Sequence, residues 1–138
     1  MPLPRVLLAE DHLETAELLR GLLQPEFEVV ETVTDGLALL VAADRLSPDV
    51  IVSDIQMPGL DGIQAALAIL RKNPDARIVL VTVHCDPLLA ERGLESGVLG
   101  FVLKRAAGDE LVPAVHSAQR GERHVSPLLQ LNRRANKL

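Results

Sequence analysis

The stretch Val50-Ile51-Val52-Ser53-Asp54-Ile55-Gln56-Met57-Pro58-Gly59-Leu60-Asp61-Gly62 carries the pattern on which the fold turns. A short apolar run, Val50 to Ser53, ends abruptly in a carboxylate. A continuous rather than alternating run of this length predicts a strand covered on both faces. Pro58 and Gly59 then turn the chain, and Asp61 stands where a helix over Gly62 to Lys72 needs its cap. Asn73-Pro74 stops that helix. Strand, polar loop and helix in this order make half of a βαβ unit.

The same rhythm repeats on both sides. Apolar runs at Arg5 to Ala9, Arg77 to Val83 and Gly100 to Leu103 predict three more strands. Phe27 to Thr32 predicts a weaker one with polar residues mixed in. Between them, Leu13 to Gln24 places Ala16, Leu19 and Leu23 on one helical face and is ended by Pro25. Leu37 to Leu46 stops before Ser47-Pro48, and Pro87 to Glu95 begins with a proline suited to a first turn. Asp109 to Arg120 closes the series. Pro113 is tolerable there if the helix starts near Gly108, which would put the missing N–H close to the first turn; otherwise the start is irregular. Strand and helix thus alternate five times, which predicts an α/β fold: a doubly wound parallel sheet, (βα)5, in the flavodoxin-like order 2-1-3-4-5.

Bulk composition narrows the function classes. The 138 residues suit one domain with a short extension, and the 48% hydrophobic content supplies an aliphatic core, since Phe27 and Phe101 are the only aromatics. The net charge of −5 is unfavourable for gripping DNA or an anionic membrane directly. The lone Cys85 offers neither a disulfide nor a zinc pattern. No signal peptide or membrane-length apolar run is visible, so a soluble cytoplasmic domain is expected.

In a sheet of this order, ligands collect outside the carboxyl ends of the strands, near the switch point between strands 1 and 3. The first strand ends in Glu10-Asp11, the third in Asp54, the fourth near Thr82 and the fifth in Lys104. Two carboxylates about 4 Å apart at an effective dielectric near 20 repel by about 4 kcal/mol. Either a proton or a cation must relieve this, and clustered oxygen ligands suit a hard ion such as Mg²⁺, which keeps positions open for water and a phosphoryl oxygen. Lys104 supplies a second cation and Thr82 a hydroxyl, so phosphoryl transfer by positioning and charge neutralisation is the chemistry expected.

These residues resemble the bacterial two-component response-regulator receiver domains. The resemblance rests on Glu10-Asp11, the Asp54 to Gly62 string, Thr82 and Gly100-Phe101-Val102-Leu103-Lys104, and it runs from about Arg5 to Gly121. It implies that Asp54 is the phosphoacceptor, served by a sensor histidine kinase. It implies Mg²⁺ bound by Asp11, Asp54 and the Gln56 backbone carbonyl, with Glu10 acting through water. Lys104 would pair with Asp54 and then with the phosphoryl group. Thr82 would turn its hydroxyl onto a phosphoryl oxygen, and Phe101 would follow inward as the switch aromatic. The domain would then be a switch catalysing only its own phosphorylation and dephosphorylation, signalling through an altered face and commonly through a homodimer.

Residues 1–121 are expected as the receiver domain and 122–138 as a C-terminal linker or frayed helical tail. The stretch Glu110-Leu111 through Ser126-Pro127 is similar to the receiver end of regulators carrying a LuxR-type helix-turn-helix. Eleven residues follow Pro127, too few for a DNA-binding module. A natural single-domain regulator and the front half of a longer transcription regulator both remain open. Two departures from the resemblance stand out: Val83 where a smaller Ala or Gly is usual, and Arg105 where Pro often follows the lysine.

Competing interpretations attach to the same positions. Asp54 could be a turn or cap residue, Asp11 an N-cap for the first helix, and Phe101 plain core. His84 is expected to be solvated and Cys85 buried or half-buried. An aspartyl phosphatase would need a second acid two residues after the nucleophile, and Gln56 occupies that place. The complete acidic set argues against a docking module without chemistry, while Val83 keeps that reading open. Flavin binding has no supporting residue, and fold alone does not license it.

Overall fold

A computed structural model of the chain describes residues 2–130. Five strand–helix pairs follow one another: β1 (Arg5–Ala9), α1 (Leu13–Leu23), β2 (Glu28–Val33), α2 (Gly36–Leu46), β3 (Val50–Asp54), α3 (Gly62–Lys72), β4 (Ile78–Thr82), α4 (Pro87–Glu95), β5 (Gly100–Leu103) and α5 (Ala107–Gln119). The sheet is parallel throughout and runs β2-β1-β3-β4-β5-β6. The expected 2-1-3-4-5 order is present, with one strand added.

Alternation along each strand divides the apolar residues between two cores. Leu7, Ile51, Leu80, Phe101 and Leu103 face α2, α3 and α4, where they meet Leu39, Ile69, Leu70 and Ala90. Val6, Leu8, Val52, Val79, Val81 and Val102 face α1 and α5, where they meet Leu19, Leu23, Leu111 and Val115. Burial on both faces is why these strands read as continuous apolar runs. β2 is the half-buried exception, with a register shift between Val6 and Leu7 where it pairs with β1. Its polar admixture in the sequence has that cause.

The sixth strand, β6 (His124–Val125), and a 3₁₀ turn at Pro127–Leu129 are corrections to the expected linker or tail. Gly100 and Phe101 of β5 pair with His124 and Val125. Ser126 ties the segment down: its N–H donates to the Phe101 carbonyl, while its hydroxyl accepts from Leu103 N–H (3.0 Å) and donates to Glu110 Oε1 (2.7 Å). Leu129 is buried in the Phe101 core. Of the expected tail, Arg133, Arg134 and Lys137 lie outside the described residues.

Helix α5 also begins earlier than its sequence pattern suggests, because a 3₁₀ turn at Lys104–Ala106 runs directly into it. Pro113 therefore lies inside the helix rather than in its first turn. It sits on the exposed face, where water can bond the carbonyl that its missing N–H leaves free. No helix among the described residues is long and apolar enough to cross a membrane.

Candidate functional site

The carboxyl ends of β1, β3 and β5 bring Glu10, Asp11, Asp54 and Lys104 together. Asp54 closes β3 and is buried, since β3 is flanked by β1 and β4 and roofed by the loop that follows it. That loop folds back tightly: Gly62 N–H donates to the Ile55 carbonyl at 2.7 Å. A Cβ on Gly62 would stand 2.0 Å from the Asp54 carbonyl oxygen. Gly62 is thus required for close approach and has no positive φ, whereas Gly59, with φ 70°, makes the turn itself. Asp61 caps α3 through a full capping box with Gln64.

Lys104 is the hub of the cluster. Its Nζ lies 2.6 Å from Glu10 Oε1 and 3.2 Å from Asp54 Oδ2. Glu10 is fully buried, and its other oxygen accepts from His12 N–H at 3.1 Å. Asp54 Oδ1 accepts from Gln56 N–H at 3.4 Å. Burial pushes the Asp54 carboxyl above its ordinary range and the Glu10 charge adds to this; Lys104 and the Gln56 N–H oppose without cancelling it. Burial also acts upward on Glu10, but the Lys104 and His12 hydrogen bonds prevail and hold it below its usual value. For Lys104, burial favours the neutral amine, yet its two carboxylate partners outweigh that and raise its pKa. The cluster holds two buried acids against one base, an arrangement that attracts further positive charge.

The donor set suits a hard divalent cation. Glu10, Asp11, His12 and Asp54 each offer a ligand atom, all within 4.8 Å of one another. Asp11 Oδ1 is buried and makes no hydrogen bond, whereas Glu10 Oε1 is engaged by Lys104 Nζ. Carboxylate oxygens gathered in a small volume, one of them buried without a hydrogen bond, suit Mg²⁺. Asp11 does not cap α1, contrary to that alternative: the N-cap is His12, and it makes no side-chain capping bond.

The remaining expected residues are placed as follows. Gln56 is exposed just past Asp54. Thr82 is buried at the end of β4, and its hydroxyl accepts from His84 N–H at 3.0 Å rather than meeting Asp54. Phe101 is already inward, only 1% exposed. A Cβ on Gly93 of α4 would meet its ring at 2.3 Å. Val83 and His84 are exposed, and so is Cys85, a correction: its Sγ lies 3.2 Å from the Leu128 carbonyl at the surface. His12 was missed from sequence; its place directly after Glu10-Asp11 was the available signal.

A buried aspartate, a lysine and an acidic pair meet at the switch point of a doubly wound sheet. The match to the response regulator receiver domain family extends over residues 6–116. The chain belongs to the response-regulator receiver-domain family of two-component systems. It is 37% identical over 120 residues to the transcriptional regulatory protein LiaR of Bacillus subtilis, covering 86% of this chain and 57% of LiaR. It is 34% identical over 125 residues to the response regulator GacA of Pseudomonas aeruginosa, covering 89% and 58%. Among solved structures, a LuxR-family response regulator from Aurantimonas superposes with a TM-score of 0.87 at 31% identity, covering 92% of both chains. The signal receiver domain of a putative NarL from Mycobacterium tuberculosis superposes with a TM-score of 0.82 at 32% identity, covering 88% of this chain and all of that one. The chain spans less than two thirds of the length of LiaR and GacA.

Proposed function

We propose that the chain is a phosphorylation-dependent switch whose Asp54 accepts a phosphoryl group from the phosphohistidine of a sensor histidine kinase. In that transfer a carboxylate oxygen of Asp54 bonds to phosphorus as the nitrogen–phosphorus bond of the donor breaks. The observation carrying this reading is Lys104 Nζ poised between Glu10 and Asp54, two carboxylates that cluster with that of Asp11.

Asp11, Asp54 and the Gln56 carbonyl would hold Mg²⁺, with Glu10 reaching it through water. The bound ion supplies charge neutralisation and an anchor for a phosphoryl oxygen. Lys104 exchanges its Asp54 contact for the incoming phosphoryl group, stabilising charge in transfer. Thr82 would release His84 N–H and donate its hydroxyl to a phosphoryl oxygen. Phe101, already inward, would hold that arrangement against α4. Chemistry is confined to loading and loss of the phosphoryl group, in the cytoplasm, with a homodimer and a LuxR-type DNA-binding module as the output partners. Residues 1–121 carry the switch; the chain itself makes no direct nucleic-acid contact.

Intact-mass spectrometry after incubation with acetyl phosphate and Mg²⁺ tests the reading. Wild-type protein should gain one phosphoryl group and the Asp54→Asn variant none. A wild-type protein that binds Mg²⁺ yet stays unmodified sinks it.

A further inference from the structure

His12 is the one member of the acidic cluster without a role in the switch. Its Nδ1 lies 3.3 Å from Glu10 Oε2, within hydrogen-bond reach, and 3.2 Å from Asp11 Oδ1. The ring caps nothing at the start of α1, and the side chain is 71% exposed. Two ligand atoms about 2.1 Å from one ion are about 3.0 Å apart at right angles and about 3.4 Å apart at the tetrahedral angle. The observed separations fall in that interval. Nδ1 therefore stands where a third ligand of a shared cation would stand, beside Asp11 Oδ1, which is buried and makes no hydrogen bond.

We propose that His12 Nδ1 is a metal ligand that gives this receiver site a preference for borderline first-row cations, such as Zn²⁺ and Ni²⁺, over Mg²⁺. The inference rests on the cation reading of the site given above. Mg²⁺ is hard and gains little from imidazole, whereas Zn²⁺ and Ni²⁺ are well served by it. Ligation through Nδ1 leaves the ring proton on Nε2, where water can accept its hydrogen bond. The neighbouring carboxylates supply the charge, and the imidazole supplies the discrimination.

Titration calorimetry on the full chain separates the two levels. A Cys85→Ser background removes the exposed thiol as a competing ligand. In that background His12→Ala should weaken Zn²⁺ and Ni²⁺ binding about 10–100-fold, the range for loss of a supporting group at a metal site. Mg²⁺ affinity should stay within about twofold. His12→Gln should behave like His12→Ala. In nitrogen-detected spectra of histidine-labelled protein, substoichiometric Ni²⁺ should broaden the His12 ring before the other three histidines. Equal loss of all three ions on substitution, or another histidine broadening first, overturns the His12 assignment while leaving the switch intact. Failure of Mg²⁺ to bind the wild-type chain, with no phosphoryl gain, overturns both.

Discussion

Asp54 is buried next to Glu10 and held by a lysine shared between them, so its negative charge works against the fold. The folded state keeps the Asp54 proton more firmly than the unfolded chain does. The penalty is therefore complete above the raised pKa and disappears as pH falls through it. Asp54→Asn should melt at a higher temperature than wild type at pH 7 without divalent cations, and the gap should close in acid. Excess Mg²⁺ should narrow it by stabilising wild type preferentially. Calorimetric melting with and without the ion checks all three. Lys104→Met should act in the opposite direction, costing about 3–5 kcal/mol at neutral pH because two buried carboxylates lose their counter-charge. That cost should shrink in acid, where Glu10 and Asp54 protonate; denaturant titration at two pH values measures it. How far these residues were legible beforehand differs by kind. Asp54, Asp11 and Lys104 end apolar runs, which a sequence displays. The Lys104–Glu10 contact, the His12 geometry and the exposure of Cys85 depend on the aim of side chains across separate strands, which it does not.

At the scale of elements, α4 and β5 are locked together by one aromatic ring over one glycine. The Phe101 edge occupies the volume a Cβ on Gly93 would need. Gly93→Ala should cost about 1–3 kcal/mol by overpacking, despite the better helix propensity of alanine. Thermal melting of the variant checks the cost, and Gly93→Ala/Phe101→Leu should recover part of it by freeing ring volume. Elements whose ends carry chemical punctuation were readable to the residue: α3 between Asp61 and Asn73, α4 from Asp86-Pro87 to Ser96. β2 was shifted by a residue, since its half-burial weakens the apolar signal. The start of α5 was misplaced because Lys104–Ala106 forms a 3₁₀ turn without a capping side chain to announce it.

For the whole molecule, the sheet has a chemically active end and a closing segment far along the chain. Ser126 bonds Leu103 N–H, one residue before Lys104, so the segment after α5 is tied to the strand that delivers the site lysine. Leu129 completes the core that holds Phe101. Leu129→Ala should cost about 2–5 kcal/mol, a core-sized penalty from a position expected to lie in a tail. Chemical denaturation monitored by far-ultraviolet circular dichroism would read it, and a cost near zero would show that the segment contributes nothing to stability. A two-residue strand has too short a pattern to be recognised from sequence. Its pairing is visible only once β5 is in place beside it.

β6 has a consequence for behaviour at high concentration. β5 is apolar on both faces, and without His124–Ser126 its outer backbone N–H and C=O groups would be unpaired at the margin of the sheet. An uncharged apolar strand with unpaired edge groups offers a template for strands of other molecules. His124, hydrogen-bonded to Glu110 and flanked by Arg123, puts polar and charged groups along that margin instead. The segment His124–Ser126 thus acts as a guard against self-association by strand addition, and shortening the chain to Gly121 should cost solubility before it costs phosphorylation.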